Sequence, residues 1–384
     1  VICVNATNGK WSTTIDLEEL GEGWNFVVCS VKRPFTRWEV SSKGFINNIP
    51  GQASVYMPSI FVERARLIGN DQFNTGYTLD NSYSATSDYF RAKELDREDL
   101  PENIRIDENN IPIVKYSNGW FYNPVTIAQD ALGYYGTFLE SGDEESRQCF
   151  LEIADWLADH QEASGAFPYD FSFAVRPTIV LPKGFVSSMA QGQMLSVYAR
   201  AYSLTNDLRY LSAGKKALEF MVSPGDEDIF SGGSKSLEDI CILSKDLDRY
   251  ADLRIYEEYV FDPSTYVLNG DLFALVGVSD WQQVAPDEFG GKLASEAFKE
   301  GIAAIEVLLP YYDYYGWSSY DLLQYTAENI EPYFGSSYAH QCHIELLHVL
   351  AALSRSETLS EYAKIFASYM DDPFWSQTEV LYKE

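Results

Sequence analysis

The sequence has little positive charge. Its 28 lysines and arginines are outnumbered by 57 aspartates and glutamates, which gives a formal net charge of -29 at pH 7. Proteins bind nucleic acids and anionic membranes through basic surfaces, so we expect this chain to bind neither. Binding of any other anionic ligand would depend on a small local group of cations.

Cysteine and histidine are also scarce, with five and four residues. None of the cysteines has the spacing of a metal site, and scattered cysteines favour free thiols over a disulfide framework. Cys3 with Cys29 is the one plausible pair and stays open, as does a structural calcium ion. The cysteines are Cys3, Cys29, Cys149, Cys241 and Cys342.

Two further absences concern membranes and cofactors. No run of about 18 apolar residues is present, so we expect no membrane span. No glycine-rich dinucleotide fingerprint is present, so we expect no nicotinamide cofactor. Secretion and a cytoplasmic location both stay open, and the glycosylation sequon at Asn5 matters only in the first case.

The chain divides into three regions by pattern. Residues 1–85 contain short β-rich runs between Gly, Pro and Asn, which predicts a small β-rich N-terminal region. Residues 86–118 are charged and carry a turn signal at 107–110, which predicts a linker or an arm lying along the next domain. Residues 119–384 are dominated by helical patterns.

These helical patterns come in pairs, in which the first helix is apolar on all sides and the second is amphipathic. Helices of the first kind are buried and helices of the second kind face water. Four such pairs predict a mainly α fold, an (α/α) barrel or toroid in which an inner ring is wrapped by an outer ring. The inner helices are 124–135, 187–202, 266–278 and 338–353, and the outer helices are 144–160, 207–221, 292–308 and 357–370.

The most unusual stretch is residues 311–344, which is crowded with tyrosine. Aromatic faces stack on sugar rings and phenols exchange protons, so this composition suits a saccharide site. An aromatic core corner explains the same composition equally well. If the toroid forms, this stretch and the loops before the other inner helices converge on one cleft.

Four motifs, in this order, resemble the C-terminal domain of the D-glucuronyl C5-epimerases. They are residues 121–129 (FYNPVTIAQ), 182–193 (PKGFVSSMAQGQ), 256–259 with 267–270 (YEEY and VLNG), and 309–344 with its Tyr-Asp-Leu and final His-Ile. The resemblance implies an (α/α) barrel that converts D-glucuronyl to L-iduronyl residues of a polysaccharide. The β-sandwich that the family carries after the first motif has no room here, because only residues 142–144 separate two predicted helices.

The resemblance also implies catalytic residues. The Glu-Tyr pair corresponds to Glu258 and Tyr259, the Tyr of Tyr-Asp-Leu to Tyr320, and the last catalytic tyrosine to Tyr338. Inverting C5 needs a base on one face of the sugar, an acid on the other and a stabilised enediolate. Glu258 could be the base or could hold Tyr259 in place.

Three departures from the family pattern bear on these assignments. Val260 replaces the proline that usually follows the Glu-Tyr pair, and Leu323 replaces an arginine of the animal enzymes. Ala339 separates Tyr338 from His340, whereas the family has tyrosine directly before histidine. His340 is therefore a second candidate for proton transfer, since histidine titrates near neutral pH.

Substrate-binding candidates are of three kinds, and their alternative is a structural role. Cations could bind the uronate carboxylate, aromatic rings could stack on sugars, and amides beside the inner helices could line the cavity or tie helices together. The cations are Arg176, Lys183 and Arg254; the rings are Trp120, Tyr122, Tyr315 and Trp317; the amides are Gln129, Gln191, Gln193 and Asn269.

The leading hypothesis is thus a glucuronyl C5-epimerase that acts on a glucuronate-containing polysaccharide, without a metal or cofactor, and a homodimer stays open. A uronate lyase would share the first step and then expel the O4 substituent. A glycoside hydrolase would use Glu258 with Asp313 or Asp321. A glycan-binding domain without activity would keep the aromatic cleft alone.

Overall fold

A computed structural model describes residues 83–90, 92–176, 179–243, 245–313, 317–327, 330, 333 and 337–371. Residues 1–82, which include nearly all of the predicted β-rich region as well as Cys3 and Cys29, lie outside the described residues. Tyr315 also lies outside them. For Tyr338 the backbone is described and the side chain is not. Cys149, within the described part, is a free thiol as predicted.

Eight long helices form four consecutive hairpins, so the mainly helical fold is confirmed. The two helices of each hairpin pack against each other and are joined by short connections. They are α1 (Pro124–Ser141) with α2 (Glu144–His160), α3 (Ser188–Thr205) with α4 (Leu208–Val222), α5 (Leu268–Val284) with α6 (Gly291–Tyr312), and α8 (Ser337–Ser354) with α9 (Glu357–Asp371). A short helix α7 (Leu323–Thr326) precedes the last hairpin.

Capping residues set where the first hairpin begins and turns. The Asn123 side chain accepts hydrogen bonds from the backbone of Val125 and Thr126, and Pro124 occupies the first helical position. Gly142 ends α1 in the left-handed conformation (φ 72°), and Asp143 caps α2. Two residues thus connect the helices, which leaves no room for an inserted domain.

The first helix of each of the central hairpins is buried on all sides, as the sequence predicts. Every residue of α3 from Ser188 to Ala201, and of α5 from Leu268 to Trp281, is buried. These two helices pack so closely that a Cβ added at Gly277 would lie 1.9 Å from the Gly192 carbonyl oxygen. Helix α3 also contacts α1, and α5 contacts α8. Closure of this row into a ring stays a prediction.

The segment before α1 contains strands that the sequence analysis did not predict. Strands β1 (Ile104–Ile106), β2 (Pro112–Tyr116) and β3 (Gly119–Tyr122) form an antiparallel sheet. The predicted turn joins β1 to β2, with the Asp107 carboxylate accepting from the backbone of Asn109 and Ile111. The strands are only three to five residues long, and the charged residues of the segment interrupt the alternation of apolar and polar side chains that would have indicated them.

Two small hairpins of strands complete the described fold. Strands β4 (Phe173–Arg176) and β5 (Ile179–Leu181) precede α3, whereas β6 (Ser234–Ser236) and β7 (Arg254–Tyr256) precede α5. Short 3₁₀ helices lie at Glu238–Leu243, Lys245–Tyr250 and Asp287–Phe289. Within the described ranges, no helix is both long and apolar enough to cross a membrane.

A buried ion pair ties the N-terminal segment to the helical core. Arg200 of α3 and Asp280 of α5 have fully buried side chains 2.8 Å apart. The Tyr83 hydroxyl donates to Asp280 at 2.9 Å, and the Arg200 guanidinium donates to the Ser87 carbonyl at 2.9 Å. Buried charges are tolerated only when such partners replace water.

We therefore expect Asp280→Asn to lower the free energy of unfolding by about 3–5 kcal/mol, because it leaves the Arg200 charge buried without its counter-ion. Urea denaturation followed by circular dichroism measures the change. The matched control is Glu296→Gln, which breaks an exposed pair with Lys292 and should change stability little. Equal effects of the two substitutions would contradict this assignment.

Candidate functional site

A short loop between β7 and α5 carries the central residues of the site. The Glu257 carboxylate is fully buried and accepts hydrogen bonds from the backbone of Thr265 and Tyr266 and from the Thr265 hydroxyl, at 2.7 to 3.1 Å. Burial raises the pKa of Glu257 to about 7, and these bonds act in the opposite direction. Glu257 closes the loop and thereby fixes the position of Glu258.

The carboxyl group of Glu258 lies against the first turn of α5. A Cβ on Gly270 would approach the Glu258 Cβ to 2.3 Å and its Oε2 to 2.7 Å, so only glycine leaves room for this side chain. Glu258 is 8% exposed, and the Tyr320 hydroxyl lies 3.4 Å from its Oε2. The sequence-predicted residues Glu258, Tyr259 and Tyr320 therefore meet at one place.

Backbone hydrogen bonds bring Tyr320 to this loop from a distant part of the chain. The Leu268 amide, at the start of α5, donates to the Tyr320 carbonyl at 3.0 Å, and the Leu322 amide donates to the Thr265 carbonyl at 3.1 Å. The Tyr320 amide donates to the Tyr333 carbonyl at 2.7 Å. The Tyr-Asp-Leu motif is thus fastened directly to the segment that begins α5.

The protonation states of this group follow from its burial. Burial raises the pKa of Glu258 to about 7. Hydrogen bonds with Tyr259 and Tyr320 oppose this rise because they favour the ionised form. Burial, followed by the nearby Glu258 charge, raises the pKa values of the Tyr259 and Tyr320 phenols well above their usual value. Near neutral pH, Glu258 can accept a proton while both phenols keep theirs.

Arg176 is linked to this group through Asp321, the residue that follows Tyr320 in sequence. Its guanidinium contacts the buried carboxylate of Asp321, and its Cζ lies 4.0 Å from the centre of the Tyr333 ring. Burial raises the pKa of Asp321 to about 6, and the Arg176 charge opposes that rise. Lys183 instead pairs with Asp170 at 2.5 Å, and both of these side chains are exposed.

A cluster of aromatic rings, which sequence reasoning missed, lies beside Tyr259. The Phe173 ring is 5.8 Å from the Tyr259 ring, and Tyr169 stacks on Phe185 at 4.4 Å. Tyr169, Phe171 and Phe173 are spaced two residues apart, so their alternation was a signal for one aromatic face. The cluster also contains Tyr116 and Phe121 of the three-stranded sheet.

Alternation of side chains along β3 places two predicted stacking residues on the face opposite the cluster. Phe121 packs into the cluster, so its neighbours Trp120 and Tyr122 point to the opposite face of β3. The Trp120 ring lies 4.6 Å from the Arg105 guanidinium, and the Tyr122 hydroxyl donates to Asp107 at 2.7 Å. Among the described contacts, none joins Trp120 or Tyr122 to Glu258, so the prediction of one shared cleft gains no support for them.

His340 and Trp317 are core residues in this structure. His340 is fully buried; its Nε2 lies 3.0 Å from the Phe366 carbonyl, and its Nδ1 accepts from the Ser318 amide at 3.2 Å. The Trp317 ring, 1% exposed, stacks on His340 at 3.9 Å and presents no face to a sugar. The reason is that α8 buries the face carrying His340 against α9. His343 is also fully buried, as predicted for a core histidine.

Of the remaining predicted substrate-binding residues, some have structural hydrogen bonds and others have polar atoms without a described partner. Arg254 donates to Ser234 and contacts Asp226, which fastens β6 to β7. Gln191 donates to the Gly165 carbonyl at 2.8 Å, whereas Gln193 is buried with no partner for its amide among the described residues. Asn269 is buried next to Gly270 and its Oδ1 also lacks a described partner.

Three further positions complete this account. Gln129 is half-buried on α1. Asp313 accepts a hydrogen bond from the Tyr369 hydroxyl at 2.7 Å. Leu323 is fully buried at the start of α7. Over the described residues, no three His, Cys, Asp or Glu side chains are grouped so that they could hold a metal ion.

Comparison with known proteins shows which family the chain is similar to. A sequence model of the family described as D-glucuronyl C5-epimerase C-terminus matches residues 161–368, more than half of the chain. A D-glucuronyl C5-epimerase of Caenorhabditis elegans is 31% identical over 237 residues, which are 59% of this chain and only 35% of the nematode protein. An uncharacterised protein of Methanocaldococcus jannaschii is 25% identical over 287 residues, 66% of this chain and 79% of that protein.

We expect the Glu258 carboxyl to titrate near pH 7, and Tyr320→Phe to raise its pKa further, because the substitution removes a hydrogen bond that favours the carboxylate. Carbon-13 NMR of the glutamate side chains measures both values, with Glu258→Gln to assign the signal. The control is Tyr210→Phe, whose hydroxyl contacts Asp155. A Glu258 pKa in the ordinary glutamate range would contradict the burial argument.

Proposed function

Because the chain belongs to the D-glucuronyl C5-epimerase family, we propose that it converts D-glucuronyl to L-iduronyl residues of a polysaccharide. The observation that carries the proposal is the meeting of Glu258 with Tyr320, whose neighbour in sequence, Asp321, contacts Arg176. One group is a base that titrates near neutrality, one is a protonated phenol, and one is a cation for a carboxylate.

In the proposed reaction, Glu258 removes the C5 proton. The C5–H electron pair moves into the adjacent carboxylate and forms an enediolate, whose charge the Arg176 guanidinium stabilises. Hydrogen bonds of Tyr259 and Tyr320 to Glu258 keep the base ionised before the transfer. The pKa of Glu258, about 7, is close to the value at which a general base works best in neutral solution.

The second proton must arrive on the opposite face of the sugar. Tyr338 is the proposed donor, by its place in the family motif; the buried and hydrogen-bonded His340 is poorly suited to the role. Donation leaves a phenolate at Tyr338 and a carboxylic acid at Glu258, and exchange of both with water restores the starting state. The closed (α/α) toroid is part of this proposal, since it would bring the α8 end of the row towards the cleft.

The proposed reaction predicts incorporation of solvent hydrogen at C5. Incubation with a non-sulfated glucuronyl polymer in heavy water should place deuterium at C5 of both the product and the recovered substrate, measured by NMR. A uronate lyase would instead give an unsaturated, ultraviolet-absorbing product, and a hydrolase would shorten chains without that product. Either result, without deuterium at C5, would overturn the proposal.

The same deuterium-exchange assay distinguishes the roles of the individual residues. Glu258→Gln, Tyr320→Phe and Tyr338→Phe should each lower the exchange rate by ~10²–10⁴-fold, since each removes one proton-transfer or orienting group with little change in volume. The control Tyr210→Phe removes a phenol hydroxyl far along the chain and should leave exchange unchanged. If Tyr338→Phe exchanges at the unmodified rate while a folded His340→Gln does not, the donor is His340 instead.

A further inference from the structure

The candidate site brings together two buried carboxyl groups and a cation that contacts one of them. The charge of Asp321 raises the pKa of Glu258, and the Arg176 guanidinium contacts Asp321. A uronate that binds here brings a third carboxylate. Charges of one sign in a site with little water repel each other, so the cleft needs a way to lose one negative charge.

Arg176 can be approached by a second carboxylate, which would compete with Asp321 for the same positive charge. A guanidinium carries five N–H donors, and the described partners of Arg176 are the Val175 carbonyl, at 3.0 Å, and Asp321. The Tyr333 ring lies 4.0 Å from its Cζ, which holds the guanidinium plane while leaving its edges able to bind a carboxylate. The side chain is 15% exposed, so a ligand can reach it.

Asp321, in contrast, depends on Arg176. Its carboxylate is fully buried, and its other described hydrogen bond comes from the Leu323 amide at a long 3.4 Å. A buried carboxylate that loses its cation becomes much easier to protonate. Glu258 keeps its hydrogen bonds from Tyr259 and Tyr320 whatever Arg176 does, so it is less affected.

We propose that the substrate carboxylate takes over Arg176 from Asp321, and that Asp321 takes up one proton from solvent as it does so. The inference rests on the proposed uronate substrate. It makes Asp321 a positioning residue that holds Arg176 ready in the free protein and becomes neutral in the complex. Proton uptake at Asp321 leaves Glu258 ionised, as the first step of the reaction needs.

The surroundings of Asp321 give the direction of the pH effect. Four groups interact electrostatically with Asp321. They are Arg176 of β4, Glu258 of the loop before α5, Tyr312 at the end of α6, and Tyr320, which precedes Asp321 in sequence. Burial places the pKa of Asp321 at about 6 in the free protein, and loss of Arg176 raises it. Binding should therefore be independent of pH below about 6 and weaken by about tenfold per pH unit above it.

Titration calorimetry tests the proposal with a hexasaccharide of alternating glucuronate and N-acetylglucosamine. At pH 7.5, binding measured in two buffers of different ionisation enthalpy should show uptake approaching one proton per complex. A carboxyl-reduced hexasaccharide is the matched ligand control and should bind without uptake. Asp321→Asn should abolish the uptake, make the Kd independent of pH, and bind at least about tenfold more tightly at pH 7.5.

Two further variants keep the result interpretable. Arg176→Gln should bind weakly and without uptake, because Asp321 is then protonated before the ligand arrives, and it tests the proposal even where Asp321→Asn does not fold. Glu258→Gln should keep the uptake. Uptake that disappears in Glu258→Gln but persists in Asp321→Asn would place the proton on Glu258 and overturn the proposal.

The outcome is separable from that of the proposed reaction. Binding of the hexasaccharide without proton uptake, together with deuterium at C5, would reject the role of Asp321 and leave the epimerase intact. Uptake without deuterium would support the carboxylate site and reject the reaction. Failure of the protein to bind the uronate hexasaccharide at all would reject both the site and the substrate class.

Discussion

The structure depends on keeping acidic side chains buried beneath the first turn of α5. The Glu257 carboxylate can remain there because four short hydrogen bonds from Thr265 and Tyr266 replace the water it loses. Those bonds also close the loop that carries Glu258 and Tyr259. The precision of the site therefore comes from a residue that takes no part in the proposed chemistry, because moving Glu257 would move Glu258 and Tyr259, which follow it in sequence.

The overall charge of the chain gives this arrangement a further consequence. A net charge of -29 repels a polyuronate at long range, and salt screens that repulsion beyond about 8–10 Å. What matters for binding is the local charge, where Glu258 and Asp321 are both buried and Arg176 contacts Asp321. If Asp321 becomes neutral on binding, the charges of Glu258 and Arg176 balance each other while the ligand is present. An acidic protein can in this way bind an acidic polymer without a basic surface.

The helices could be predicted from sequence because their signal is local. Apolar residues at helical spacing, together with caps such as Asn123 and Asp143, give nearly the same helix starts as the structure, although α1 and α5 each end six residues beyond the predicted end. The pairing of Glu258 with Tyr320 had no local signal, since 62 residues separate them, and only the motif order indicated it. Arg176 and Asp321 are 145 residues apart, and nothing in the sequence identified them as partners. Trp120 and Tyr122 were assigned to the cleft by motif position, although strand alternation gives the inward place to Phe121.

The N-terminus of α5 explains why so many of these residues meet at one point. The free amides of a helix N-terminus carry partial positive charge and favour a nearby carboxylate. Glu258 packs on this turn at Gly270, and the Leu268 amide holds the Tyr320 carbonyl. Burial raises the pKa of Glu258 to about 7, and the hydrogen bonds from the Tyr259 and Tyr320 phenols oppose that rise. The helix start also fixes the segment that carries the Tyr320 phenol, so one structural element sets both the place of Glu258 and the place of a phenol that bonds to it.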